Sequence, residues 1–437
     1  MQILIYLAAV ALVLGVLVFV HEFGHYAVAK LCGVRVEVFS LGFGKRLWGF
    51  RRGDTDYRLS LLPLGGYVKM AGENPMENRT GDPGEFTSHP RWQRFLIAIA
   101  GPTMNVILAI LVFAVVFKFH HDYYFFERQP VNIFFVAPGS VAEKAGIRPG
   151  DKIVKIDDVE NPNWTQAWIG FGLSASQTVE VTVQRGDQPL PMKLVPEPKG
   201  AERMGDVGLV PPEFVGTLEA DMPAAKAGVH VGDALVSVNG TPVRNTQEVQ
   251  DVLAKTKDAP VQLIVWRDGK ELPFTLIPVL TPTSQGDKYR IGFSPQAVER
   301  LPFPAAFRSS LAECKTNSLL IFKLLGKMVQ QPRNTLGQMS GPIGITIISG
   351  EAAKAGFWQY IWVMALISLN LAVFNLLPIP ILDGGLMLML GIEGIMRRDI
   401  NQEIKERVYQ VAFVFLLVFA AVVIYNDIAK TLPGHLL

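Results

Sequence analysis

Four stretches of this chain read as membrane spans, and they constrain its fold more than any other feature. A span needs about 20 mostly apolar residues. The first candidate runs from Ile3 to about Ala29 and the second from Phe95 to Phe117, FLIAIAGPTMNVILAILVFAVVF. The third runs from about Trp358 to Leu377, and the fourth from Val408 to Tyr425. Helices buried in a water-soluble core would be shorter and would carry more charge. The apolar run from Gln2 to Val20 has no basic residue ahead of it and no small-residue cleavage pattern behind it. It therefore reads as a retained span rather than a signal peptide.

Charge sets the expected orientation. Ten Lys and Arg residues lie between Leu31 and Arg94, and Arg397, Arg398, Lys405 and Arg407 precede the fourth span. Short loops rich in Lys and Arg stay cytoplasmic. Both termini, and the long segment from Lys118 to Gly356, are then expected on the outer side. The formal net charge is only +2, so no global basic field points to nucleic acid. Cys32 and Cys314 are the only cysteines, which excludes both a disulfide framework and a CxxC metal site.

The long outer segment contains a duplication. SVAEKAGIRPGDKIVKIDD (Ser140 to Asp158) parallels DMPAAKAGVHVGDALVSVNG (Asp221 to Gly240), with Gly146 and Gly150 matching Gly228 and Gly232 at an offset of 82 residues. Each copy is followed by strand-like alternation, TVEVTV and MKLVP in one, VQLIVW and FTLIPV in the other. The pattern resembles PDZ domains of the bacterial protease type. Such modules capture extended peptides by adding a strand to a sheet edge. A pair of spacers that filter by size is the alternative reading. Downstream, FRSSLAECKTNSLLIFKLLGKMVQ (Phe307 to Gln330) is amphipathic at helical spacing, suited to a membrane surface or to packing.

The chemistry enters at HEFGH, directly against the first apolar run. Residues four apart share a helix face, so His21 and His25 can reach one metal. Glu22 beside them is placed to take a proton from a metal-bound water. Ionisable residues at membrane depth point to function. Lys30 marks the expected end of the span, which puts His25 about 8 Å and His21 about 14 Å deep at 1.5 Å per residue. That is shallow enough for a cavity to wet. A catalytic zinc site keeps three protein ligands and an open position. The third candidate is Asp383 in LISLNLAVFNLLPIPILDGG (Leu366 to Gly385). There Pro378 and Pro380 break the helix, and such a break is tolerated only where protein buries it or a wet cavity lies beside it. Asp383 as a plain helix cap is the alternative. Between Val34 and Met70, VRVEVFSLGFGKRLWGF and YRLSLLPLGGYVKM alternate like the strands of a hairpin. This hairpin either dips toward the site and offers a strand edge, or stays in the cytoplasm.

HEFGH, GPTMN (Gly101 to Asn105), PLGGYVKM (Pro63 to Met70), SGPIGI (Ser340 to Ile345) and NLLPIPILDGG (Asn375 to Gly385) together resemble the site-2 proteases, membrane-embedded zinc metalloproteases. The likeness covers nearly the whole chain. It implies His21, His25 and Asp383 as ligands of one Zn2+ per chain, Glu22 as the general base, and Asn375 as a contact to the substrate backbone. It also implies a membrane-re-entrant β-loop with Gly42, Phe43 and Gly44 at its turn, and we add Tyr67 as a substrate contact. Implied partners are membrane lipid and single-span membrane proteins, such as an anti-sigma factor, and remnant signal peptides. The implied location is the bacterial inner membrane, with periplasmic PDZ domains and termini and an active site near the cytoplasmic side.

The expected fold is a polytopic α-helical membrane protein with four transmembrane helices, a membrane-associated β-hairpin and two periplasmic PDZ-like β-rich domains. In order, the parts are a first transmembrane helix at 1–30, a cytoplasmic loop with the hairpin at 31–93, and a second helix at 94–119. PDZ modules follow at 127–200 and 205–281, then an amphipathic segment at 295–355. The third helix at 357–378, the LDG turn with a short helix at 379–404, and the fourth helix at 405–427 complete it. The expected activity is zinc-dependent intramembrane proteolysis. A non-catalytic PDZ receptor for envelope stress is the alternative, and it leaves His21, Glu22, His25 and Asp383 unexplained.

Overall fold

The computed structural model describes residues 2–73, 81–200, 203–283, 286–330 and 340–431. Positions 74–80 of the first loop, with Arg79, and 331–339 of the amphipathic segment lie outside the described residues. The described chain forms two compact units. A helical unit contains the residues up to Phe119 and those from Arg300 on, and a β-rich unit contains His120–Glu299.

The helical unit is built on α1 (Gln2–Leu31) and α2 (Arg91–Phe119). Gly24 lets the two backbones touch, since a Cβ there would lie 2.5 Å from Ala100 O. Further along α2, Ala109, Phe113 and Phe117 form a core with Ala365 and Leu369, and the Trp362 ring packs edge-on against Phe113 at 4.6 Å. Four described helices are long and apolar enough to cross a membrane, ending at Leu31, Phe119, Asn375 and Lys430. The last of these leaves Val411, Phe413, Phe415 and Val418 more than half exposed. An apolar surface of that size has no place in water, and lipid is its natural cover.

Between Arg35 and Met70 the chain forms two long strands, β1 (Val36–Arg52) and β2 (Thr55–Met70). Each folds over itself. Residues Val38 to Leu41 pair with both Asp56–Leu59 and Gly66–Lys69, giving four short strands in the order 66–70, 36–41, 55–62, 46–52. Val38–Leu41 runs in the same direction as Asp56–Leu59, whereas Arg46–Arg52 runs opposite to Thr55–Ser60, so the chain reverses at Gly42, Phe43 and Gly44, and reverses again in a tight turn at Gly53 and Asp54. The first of these reversals is the corner at which β1 folds. Gly42 has φ +88°, and a side chain there would meet Leu62 O, so the corner demands glycine.

The β-rich unit contains two copies of one module. The first has a sheet in the strand order 159–160, 152–156, 179–185, 188–194, and the second repeats it as 241–242, 234–238, 261–267, 270–276. The duplicated Gly-Asp has a physical reason. Asp151 and Asp233 are buried, and each carboxylate accepts from an arginine at the end of the neighbouring strand, Arg185 Nε at 2.7 Å and Arg267 Nε at 2.6 Å. Each also accepts a backbone N–H, from Arg148 and His230, both at 2.8 Å. The module limits of 127–200 and 205–281 need correction. Val207 and Leu209 sit in the first core and Leu209 pairs with Val136, while Ile291 sits in the second core and Phe293 pairs with Leu218. The last strand of each module is short and follows a loop, so alternation does not mark it. The limit at 295 moves as well: Gln296–Glu299 is a strand paired with His121–Tyr124, and the long amphipathic helix begins only at Phe303.

Candidate metal centre

In α1, four residues of helix bring His21 and His25 onto one face, with Nε2 atoms 3.2 Å apart. The third group arrives from the far end of the chain. The helix Phe357–Asn375 stops, Pro378 and Pro380 forbid its continuation, and a new helix starts at Asp383. Gly384 and Gly385 make this turn possible, because a Cβ on either would lie within 2.5 Å of the carbonyls of Leu376 or Ile379. Asp383 sits in the first turn of its helix, but its carboxylate faces the histidines, with Oδ2 3.2 Å from His21 Nε2 and Oδ1 3.4 Å from His25 Nε2. Tetrahedral zinc with nitrogen and oxygen ligands needs donor atoms roughly 3.3–3.5 Å apart. The three groups fit one ion with no rearrangement.

Their surroundings orient them. Ile97 O accepts from His25 Nδ1 at 2.7 Å, which leaves Nε2 as the lone-pair nitrogen. His21 Nδ1 lies 3.3 Å from the Asn105 amide, and Asn105 Oδ1 is buried without a partner. A half turn of that amide puts Oδ1 on the Nδ1–H, which removes the orphan acceptor and frees Nε2. Gly101 is required for space: a Cβ there would lie 2.3 Å from His25 Nε2. GPTMN on α2 thus clears room for one histidine with its glycine and orients the other with its asparagine.

A cavity of about 410 Å3 opens onto the three groups, and Glu22, Tyr67, Val68, Glu73 and Asn375 line it. Asn375 Nδ2 lies 3.4 Å from His21 Nε2, beside the metal position. A Cβ on Gly66 would lie 3.5 Å from Glu22 Cγ, and Val68 lines the cavity with Glu22. Phe43 lines the cavity and stacks on Tyr67 at 6.1 Å with planes 7° apart. Gly42 and Gly44 do not line it; they shape the corner that carries Phe43. The strand Gly66–Met70 lies in PLGGYVKM, the hairpin segment expected to offer an edge, and Tyr67 lines the cavity as expected; Glu73, three residues beyond the strand, carries no signal in the sequence.

Paired histidines and a remote carboxylate beside a free glutamate, in a chain with four membrane-length helices, define a membrane metalloendopeptidase. The chain belongs to peptidase family M50, whose model matches residues 9–419. It is 34% identical to a putative zinc metalloprotease of Vibrio cholerae, over 97% of this chain and 98% of that one. It is equally 34% identical to the regulator of sigma-E protease RseP of Escherichia coli, over the same shares. The Salmonella typhimurium protein of that name is 32% identical at the same coverage. Among solved structures, a PDZ domain of an SdrC-like protein from Listeria monocytogenes aligns with 18% of this chain and 83% of its own, at 22% identity and a TM-score of 0.17. The protein is a zinc metalloendopeptidase.

Proposed function

We propose that this chain is an intramembrane protease with one zinc per chain on His21, His25 and Asp383, and that it cleaves single-span membrane proteins. The observation that carries this reading is the meeting of those three groups, from two separate helices, in a cavity bordered by Glu22 and a free strand edge. Zinc, when bound, supplies Lewis acidity to the scissile carbonyl and lowers the pKa of its water. Glu22 takes the proton of that water and hands it to the leaving amine. Asn375 donates to the substrate backbone beside the metal. A substrate helix hides its amides in its own hydrogen bonds, so it must be unwound and held extended. The strand Gly66–Met70 is an outer strand of its sheet and borders the cavity, which supports it as the docking edge for the unwound segment.

The loops rich in Lys and Arg support a cytoplasmic mouth for this cavity, with the two modules and both termini in the periplasm. Anti-sigma factors are the substrate class that the names of the relatives suggest. The first module has a groove of about 430 Å3 between Trp164–Gly172 and Met204–Leu209, with Trp168, Phe171 and Met204 on its walls. A mere spacer needs no such groove, so the modules are read as PDZ domains that bind peptide as well as filter by size. The test is Glu22→Gln in the full-length chain: zinc content stays at wild type while cleavage of a single-span substrate falls below detection. Undiminished cleavage by that variant overturns the mechanism, and purified protein without zinc favours a non-catalytic receptor.

A further inference from the structure

The free edge of the strand Gly66–Met70 is short, and a side chain ends it. Amide directions alternate along a strand. Ala71 donates inward, to Arg35 O at 2.9 Å, so Met70, Val68 and Gly66 direct their N–H groups outward, toward the cavity. Met70 N–H does not wait for a partner. It donates to Glu73 Oε2 at 3.2 Å, and Glu73 N–H donates back to Met70 O at 3.4 Å. Glu73 therefore folds back over the end of its own strand and takes the place that the carbonyl of an incoming strand would occupy. Val68 opens onto the same cavity as Glu22, which belongs to the reaction site itself.

We propose that Glu73 is the register stop for the substrate: it confines strand pairing to Gly66 and Val68, and so decides which peptide bond lies over the metal. This rests on the proposed docking of unwound substrate along this edge. A strand can slip only by two residues if its amides are to keep facing the same side, a shift of about 6.7 Å. Because the metal ligands do not move, a slip of two residues moves the cut by two residues. With Met70 N–H capped, the next register has no donor to meet. Glu73 acts through the position of the substrate strand and takes no part in the chemical step, so it is a positioning residue.

The test uses full-length protein in lipid bilayers, with a single-span peptide of about 20 apolar residues interrupted by Gly-Gly, and reads the cut by intact mass of both fragments. Wild type gives one cut. Glu73→Ala gives a second product pair displaced by two residues, at a tenth or more of total product, and Glu73→Gln, which keeps an acceptor for Met70 N–H, gives one cut. If Glu73→Ala loses zinc, Glu73→Ser, too short to reach Met70, provides the same reading. A single unchanged cut in the variant lacking the acceptor overturns the inference, as does slippage in Glu73→Gln. Wild type that cuts no membrane-spanning peptide instead overturns the reading of function, a separate outcome.

Discussion

Asn105 shows how much of this site is decided one residue at a time. It sits on a helix that contributes no candidate ligand, yet it holds His21 by the nitrogen that must not face the metal. Removing it leaves the imidazole free to turn and to exchange tautomers. Asn105→Ala is expected to weaken zinc binding about 10- to 100-fold while the helices stay assembled. Competition with a chromophoric chelator, alongside an unchanged far-ultraviolet spectrum, checks this without recourse to activity. Wild-type zinc affinity in the variant assigns Asn105 to packing alone.

At the scale of elements, the duplicated Gly-Asp proves to be a joint between loop and sheet. Asp233 is held by Arg267 through Nε and Nη2, both at 2.6 Å, and Nη2 also reaches Gly228 O at 3.0 Å. One arginine thus ties the loop before its module's first long strand to the neighbouring strand. Arg267→Ala strands a buried carboxylate, at a cost of about 3 kcal/mol to the second module. The first module has its own copy in Arg185 and Asp151, so the two should separate in calorimetry, with one transition moving down and the other staying. A single unmoved transition would show that the joint contributes nothing.

Across the whole molecule, the β-rich unit begins and ends on adjacent strands, His121–Tyr124 and Gln296–Glu299. Arg128 reaches both Glu299 oxygens, at 3.1 and 2.7 Å, and its guanidinium stacks over Tyr123. The Arg128 guanidinium holds the Glu299 carboxyl below its usual range, and burial pushes the His121 imidazole down despite Glu299 beside it. Both shifts have the same consequence. A lowered carboxyl gives stability that is full above its unfolded value of 4.5 and lost as pH falls through its folded value. A lowered imidazole likewise costs stability once pH falls below 6.5. The melting temperature of this unit is therefore expected to fall from neutral pH downward, first near 6.5 and again below 4.5. Glu299→Gln should shrink the lower step, to which the Asp151 carboxyl, held down beside Arg185, also contributes, and a lower step of undiminished size in that variant refutes the assignment.

The sequence by itself determined the parts that depend on local pattern. Apolar length marks the four described helices that are long and apolar enough to cross a membrane, because lipid demands about 20 residues of uninterrupted apolar surface. Helical spacing joins His21 to His25, and Pro378 and Pro380 announce a break ahead of Asp383. The repeat at an offset of 82 exposes the duplicated module. Only the tertiary structure decided what depends on distant segments meeting. Asp383 lies 362 positions after His21, and no local rule sets their 3.2 Å separation. The folding of β1 and β2 into four strands, and the return of Val207 and Leu209 to the first module's core, follow from packing rather than alternation. Glu73 is legible only once Ala71 and Met70 are seen to point their amides opposite ways. Hydrophobic length and period are properties of neighbours in sequence, whereas a metal centre and a strand edge are properties of neighbours in space.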